Sequence, residues 1–254
     1  MFDSRLALAS LSGESDAQWA RNAETHAGAA FLGGIAIDEP SRRAARRLVE
    51  RDREEFLPDE PLAFIECELD ALDDAPIRPG FNVRSASRAP IREIAELCRE
   101  HDAIIELNAH CRQDELCAVG CGETLLRDAH RLCEQVETAA DTGATVSVKV
   151  RAEVPGVSLP DTARWVEEAG ADLIHVDAMD SESVIRDVAD ATDLFVIANN
   201  GVRDGDTARK YLEYGADAVS VGRPSDRPAI LRRVREAVDD WFEAETEPAA
   251  GAGG

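Results

Sequence analysis

Lysine is almost missing from this chain. Lys149 and Lys210 are the only two, and all other members of the 28 Lys-plus-Arg positions are arginine. Asp and Glu number 51, which leaves a net charge of −23. That balance excludes a protein held to nucleic acid mainly by a broad basic surface, though not a local basic patch. Abundant carboxylates with few lysines keep a protein hydrated in concentrated salt. The charge therefore reads as a halophilic signature that describes the solvent rather than a partner.

Long apolar runs are absent as well. The longest small-and-apolar stretch, Ala27 to Ile37, falls well short of the ~18 residues of a membrane helix. The opening MFDSRLALASLSGESD lacks a charged segment leading into a long apolar one, so no secretory leader and no membrane partner are expected. Six cysteines without framework spacing suit a reducing compartment, and a cytoplasmic location is expected.

What is present is a regular alternation. The chain has 254 residues, 27.5 kDa and 44% hydrophobic residues, enough for one substantial core. Short apolar runs at Leu6–Ala9, Ala30–Ile37, Phe81–Arg84, Ala103–Leu107, Thr145–Val150, Leu173–Val176, Leu194–Ala198 and Ala218–Val221 read as strands. Amphipathic stretches opened by Pro40–Ser41, Pro90, Pro160–Asp161 and Asp204–Asp206 read as helices between them. Eight such units favour a single α/β (β/α)8 TIM barrel, with an open doubly wound sheet as the alternative. Within the irregular connection Glu54–Gly80, PLAFIECEL reads as an extra strand. It is either a hairpin insert or the true third strand, with the count shifted by one. Residues 1–243 are expected to form the barrel and residues 244–254 a disordered acidic and Gly/Ala-rich tail.

In such a barrel, ligands bind at the C-terminal ends of the strands, often with phosphate at the last two. There the sequence places Asn199, Asn200, Gly201 and Arg203, then Gly222, Arg223, Pro224 and Ser225. Glycine lets the backbone approach a ligand, and free N–H groups at a helix start favour phosphate. Lys149 lies inside the strand SVKVR, on the face of Ser147 and Arg151 and opposite the valines. A buried lysine requires a charged partner, and a cation there suits an anionic ring system such as a reduced flavin. Gly120–Gly122, the one Gly-x-Gly before the tail, has no third glycine and follows no strand, which disfavours a Rossmann site. Cys111, Cys117 and Cys121, with His110, lack the C-x2-C spacing of a metal centre, and no metal is expected.

Taken in order, these blocks resemble a family. IIELNAHCRQDELCAVGCGETLLRD is similar to the Asn-x-x-Cys-Pro…Gly-x-Gly…Leu-Leu segment of the tRNA-dihydrouridine synthases, FMN-dependent barrels related to dihydroorotate dehydrogenase. LALASLSGESD, VSVKVR, LIHVD and IANNGVRDGDTARKYLEYGADAVSVGRPS resemble their remaining motifs, over residues 6 to about 225. The resemblance implies that Ser10, Gly13, Asn82, Lys149 and His175 line the isoalloxazine, and that Asn200, Gly201, Gly222 and Arg223 hold the FMN phosphate. It implies Cys111 as the acid that protonates C5 of uracil, with Asn108 orienting the ring, and NAD(P)H as a candidate electron donor. A thiol of ordinary pKa, about 8.5, is protonated at neutral pH and can serve as that acid. Arg112 stands where the family has proline, Asp177 where it has a strand-six arginine, and no C-terminal tRNA-gripping helical domain is expected. The leading expectation is reduction of uridine in tRNA. The alternatives are a dihydroorotate dehydrogenase-like enzyme acting on a free pyrimidine-like molecule and a non-catalytic flavin- or phosphate-binding barrel.

Overall fold

Each of the eight apolar runs expected to form the barrel is a strand, and the last strand returns to the first. The computed structural model describes residues 1–246. Its strands are β1 (Leu6–Leu8), β2 (Ala29–Ala36), β3 (Arg78–Arg84), β4 (Ile104–Asn108), β5 (Thr145–Arg151), β6 (Leu173–Asp177), β7 (Phe195–Asn199) and β8 (Ala218–Val221). All pair in parallel and in sequence order, and β8 closes on β1 through Leu6↔Val219, Ala7↔Ser220 and Leu8↔Val221. Closure removes both sheet edges and rules out the open doubly wound sheet.

Around the barrel lie α1 (Ala17–Arg21), α2 (Glu39–Val49), α3 (Pro61–Asp70), α4 (Ala89–Glu100), α5 (Asp114–Cys117), α6 (Glu123–Arg127), α7 (Ala129–Ala140), α8 (Leu159–Glu168), α9 (Val184–Ala189), α10 (Gly205–Glu213) and α11 (Pro228–Thr246). Proline in the first turn of α2, α3, α4 and α8 costs no hydrogen bond and presets the backbone, so the sequence signals act as expected. Helix α11 runs through Thr246, past the expected tail boundary at 244, and the rest of that tail lies outside the described residues.

The strand alternation sorts the barrel interior by height. Ala7, Phe31, Ile104, Leu173, Ile197 and Ala218 form an apolar floor. Two residues further along their strands come Glu106, His175, Asn199 and Ser220, and two further still Asn108 and Asp177. The valines and isoleucines between them, such as Val148 and Ile174, face the helices. The period of two thus carries each strand from a greasy floor to a charged mouth.

PLAFIECEL is not a strand. It is α3, and the third strand is Arg78–Arg84, so the strand count was never shifted. Ile65 and Leu69 are buried one helical turn apart while Glu66 is exposed, a 3.6-residue pattern masked by the density of apolar residues.

Helix α2 is anchored by Asp38, whose carboxylate accepts from Ser41 N (3.1 Å), Ala86 N (2.9 Å) and Ser87 Oγ (2.8 Å). One side chain therefore caps α2 and ties it to the β3–α4 loop. Asp38→Ala should destabilise the fold by about 2 kcal/mol, the upper range for a cap, as measured by denaturant unfolding.

Candidate active site at the barrel mouth

Below the mouth, one buried carboxylate organises the interior. Glu106 on β4 accepts from Asn82 Nδ2 (2.7 Å), Ser147 Oγ (3.2 Å) and His175 Nδ1 (2.7 Å), and it is fully buried. Strands β4 and β6 are not neighbours, so the contact to His175 crosses the barrel interior. Burial alone would raise the Glu106 pKa, but His175, Lys149 and Asn82 together hold it below the usual carboxylate value. Burial pushes the His175 imidazole below its ordinary pKa against the pull of Glu106, and it pushes Lys149 down against Glu106 and Asp177. With the ring neutral, Nδ1 carries the proton donated to Glu106 and Nε2 accepts from Ser220 Oγ at 2.8 Å. Ser220 Oγ in turn accepts from Asn199 Nδ2 at 2.8 Å.

Above this network opens a cavity of about 650 Å³, lined by residues following β1, β4, β6, β7 and β8. That volume suits a cofactor-sized ligand. Ser10, Lys149, Asn200, Gly201, Gly222 and Arg223 all line it, so the two glycine turns converge on one space. A Cβ added at Gly201 or Gly222 would meet nothing within 4 Å, so no side chain plugs the gap above either turn. Asn200 and Gly201 both have left-handed backbone, at φ 92° and 70°. The asparagine is held in that uncommon conformation from two sides, its Nδ2 donating to Asp177 Oδ1 (3.0 Å) and its carbonyl accepting from Tyr211 OH (2.9 Å).

The helix starts contribute less than expected. The N-terminus of α10 is already capped by Asp204, whose carboxylate accepts from Thr207 N (2.9 Å) and Oγ1 (2.8 Å). After β8 comes only a short 3-10 turn, Arg223–Asp226. A phosphate here has to rely on the glycine turns together with the Arg203 and Arg223 side chains, both in the lining.

Other expected site residues lie beneath or beside the cavity. Asn82 and His175 belong to the satisfied floor. Asn108 is buried with them, donating to Asn82 Oδ1 (2.8 Å) and accepting from Cys111 N (3.0 Å), so it anchors the loop after β4. Gly13 is outside the lining; it lets the β1 loop pass Glu54, which a Cβ would approach to 2.7 Å. Cys111 is also outside the lining, buried in a cluster with Ala44, Leu48, Leu116 and Cys121. Its neighbour His110 takes the place on the cavity wall, with Nε2 3.9 Å from Asp177 Oδ2 and a buried Nδ1 that has no hydrogen-bond partner. Burial and the charges of Lys149 and Arg84 hold His110 well below its ordinary pKa. Among the described residues, only Asp70, Asp73 and His101 bring three ligand-type atoms together, and they do so away from the mouth, so the three cysteines form no metal cage.

Sequence reasoning passed over Glu106, Ser220 and Arg53 as site residues, and it named Arg203 at a ligand-binding strand end but His110 and Arg112 without a role at the cavity. The alternation that singled out Lys149 applies equally to Glu106, an isolated charge inside the apolar strand IIELN.

The pattern of the family Dihydrouridine synthase (Dus) matches residues 80–251, from within β3 onward. The chain belongs to the dihydrouridine synthase family. An uncharacterized protein of Methanocaldococcus jannaschii is 26% identical over 233 residues, covering 87% of this chain and 89% of its own. Imidazole glycerol phosphate synthase subunit HisF of Psychromonas ingrahamii is 29% identical over 111 residues, 37% of this chain and 43% of its own. A chain of the tryptophan synthase complex of Pyrococcus furiosus superposes with a TM-score of 0.61 at 13% identity, covering 94% of this chain and 100% of that one. At that identity the likeness speaks to the fold alone. Dihydrouridine synthases are in general FMN-dependent and act on tRNA. No helix among the described residues is long and apolar enough to cross a membrane.

The site has what FMN requires: open space over two glycine turns, guanidinium groups beside them, and a buried lysine further in. The depressed histidines also set a pH response. Folded His110 and His175 stay neutral where the unfolded chain takes up protons, so stability falls as pH drops below about 6.5. His110→Asn should remove up to about 1.4 kcal/mol per pH unit of that decline, read from melting temperatures between pH 7 and 5.

Proposed function

We propose that this protein is an FMN-dependent oxidoreductase that reduces the C5=C6 bond of uridine, with tRNA as the leading substrate. The observation that supports the reading best is that Lys149 and both glycine turns line one unplugged cavity. FMN, if bound here and reduced by a donor such as NAD(P)H, would supply hydride chemistry at C6 of the pyrimidine. Gly201, Gly222, Arg203 and Arg223 would hold its phosphate, and Ser10 and Lys149 its ring. The Lys149 ammonium, disfavoured by burial but favoured by the charges of Glu106 and Asp177, would stabilise negative charge on a reduced ring. The Glu106–His175–Ser220–Asn199 line is fixed by its own hydrogen bonds and would give that ring a rigid floor.

Protonation of C5 is assigned to the loop that Asn108 anchors. Cys111 is the family's acid, and in this chain it stands one residue behind the cavity wall, where His110 is exposed to the space. His110, which faces the cavity with Nε2 3.9 Å from Asp177 Oδ2, gives a second reading for the proton donor, acting as imidazolium with that carboxylate beside it. The same cavity would also serve a dihydroorotate dehydrogenase-like reaction on a free pyrimidine.

Protein purified in high salt should be yellow and release FMN on denaturation; a colourless protein that fails to take up added FMN removes the proposal. Arg203→Gln with Arg223→Gln should weaken FMN retention at least ~10-fold, since charge-assisted hydrogen bonds are the strong ones. Cys111→Ala should keep its flavin and lose about 10²-fold or more in turnover, the scale of a lost general acid. Turnover that survives Cys111→Ala but fails in His110→Asn moves the proton to His110. Absence of dihydrouridine changes in tRNA from cells lacking the gene, with purified enzyme turning over free pyrimidine, would move the substrate to the small molecule.

A further inference from the structure

Four arginines line the cavity, Arg53, Arg112, Arg203 and Arg223, and no side-chain hydrogen bond or ion pair holds any of them among the described residues. Neighbouring arginines are otherwise engaged: Arg51 pairs with Glu115 and Arg151 with Glu123. In a chain of net charge −23, four guanidinium groups without a side-chain hydrogen bond or close ion pair around one opening stand out, even though Arg203 feels the charge of Asp204.

The four fall into two groups by element: Arg203 and Arg223 follow the adjacent strands β7 and β8, while Arg53 and Arg112 belong to the segments after α2 and β4. Arg112 follows β4 and Arg223 follows β8, four strands apart in a ring of eight. Arg53, in the connection between β2 and β3, is three strands from Arg203 after β7, and the neighbouring Arg51 pairs with Glu115 of the segment after β4. A single cofactor phosphate at the glycine turns engages the Arg203 and Arg223 side and leaves the other group unmatched.

That second group is built on fixed backbone. Arg53 N donates to Leu48 O (3.1 Å), Glu54 lies against Gly13, and Glu55 pairs with Arg84 at 2.5 Å, both side chains nearly inaccessible. Arg112 follows Cys111, whose N–H is held by Asn108. Both guanidinium groups are exposed at the end of an anchored segment, an arrangement suited to planar recognition of an anion.

We propose that Arg53 and Arg112 form a second anion subsite, which receives the phosphate of a uridine nucleotide substrate across the mouth from the cofactor phosphate. This deepens the reading above, on which it rests for the occupancy of the first rim. The same chemistry is offered by a free nucleotide and by a nucleotide within RNA.

The test is calorimetric titration of uridine 5′-monophosphate and of uridine into FMN-loaded protein, wild type and the R53Q/R112Q double variant. The nucleotide should bind at least 10-fold more tightly than the nucleoside to wild type, and the ratio should fall to about one in the variant. Because both residues are exposed, the variant should keep its melting temperature and its flavin content. Equal affinities in wild type, or a preference that survives the double substitution, overturns the proposal. A short uridine-containing single-stranded RNA forms the second arm: an arginine-dependent gain over the mononucleotide assigns the subsite to polymer phosphate, and none assigns it to the free nucleotide. Protein that takes up no FMN defeats the oxidoreductase reading, yet the nucleotide-to-nucleoside ratio measured on that protein still decides the subsite.

Discussion

Everything at the mouth of this barrel depends on a carboxylate at its centre. An isolated ionised carboxylate in an apolar interior is prohibitively costly, and Glu106 is tolerated only because partners reach it from β3, β5 and β6. Those partners meet it only when the strands are closed and in register. A slip of one residue in β4 would turn Glu106 into the helical layer and Ile105 into the barrel. The polar cluster thus stabilises less than it specifies: a misregistered barrel leaves a charge buried without compensation.

The same cluster divides the site into two kinds of surface. Hydrogen-bonding capacity in the floor is spent inside the protein, from Asn108 through Asn82 and Glu106 to His175, Ser220 and Asn199. Capacity at the rim is unspent, in the four free arginines and the space over Gly201 and Gly222. A satisfied network is rigid and offers a ligand a defined plane, whereas unsatisfied cations offer it attraction. The floor positions and the rim binds. Asn200 joins the two, since its strained backbone is held by Asp177 at the top of β6 and by Tyr211 of α10.

How much of this was legible follows from where each residue sits. Strand interiors were, because alternation fixes the face of every side chain: Lys149 was placed correctly with Ser147 and Arg151. The α3 helix was misread because Ile65 and Leu69 sit within a run of apolar neighbours that hides the helical period. Cys111 lies three residues beyond the end of β4, where alternation no longer applies, in a loop that Asn108 holds through its side chain and that buries it with Ala44, Leu48, Leu116 and Cys121. Glu106 was hidden among 51 acidic residues, since nothing in composition distinguishes a structural carboxylate from a solvated one. The free arginines were equally hidden, because pairing is a property of tertiary neighbours rather than of sequence.

The acidity of the chain and the cationic mouth are compatible because they act over different distances. A net charge of −23 repels an anionic ligand at low ionic strength, but at 1 M salt the field decays within about 3 Å. Direct hydrogen bonds from a guanidinium to a phosphate are shorter range than that and partly shielded within a cavity. At that ionic strength, carboxylates on the outer surface would have little influence on what enters the barrel. Selection then passes entirely to contact, which is why the arginines that matter are those left unpaired at the rim, while others such as Arg43 and Arg46, both paired with Glu39, are neutralised where they stand.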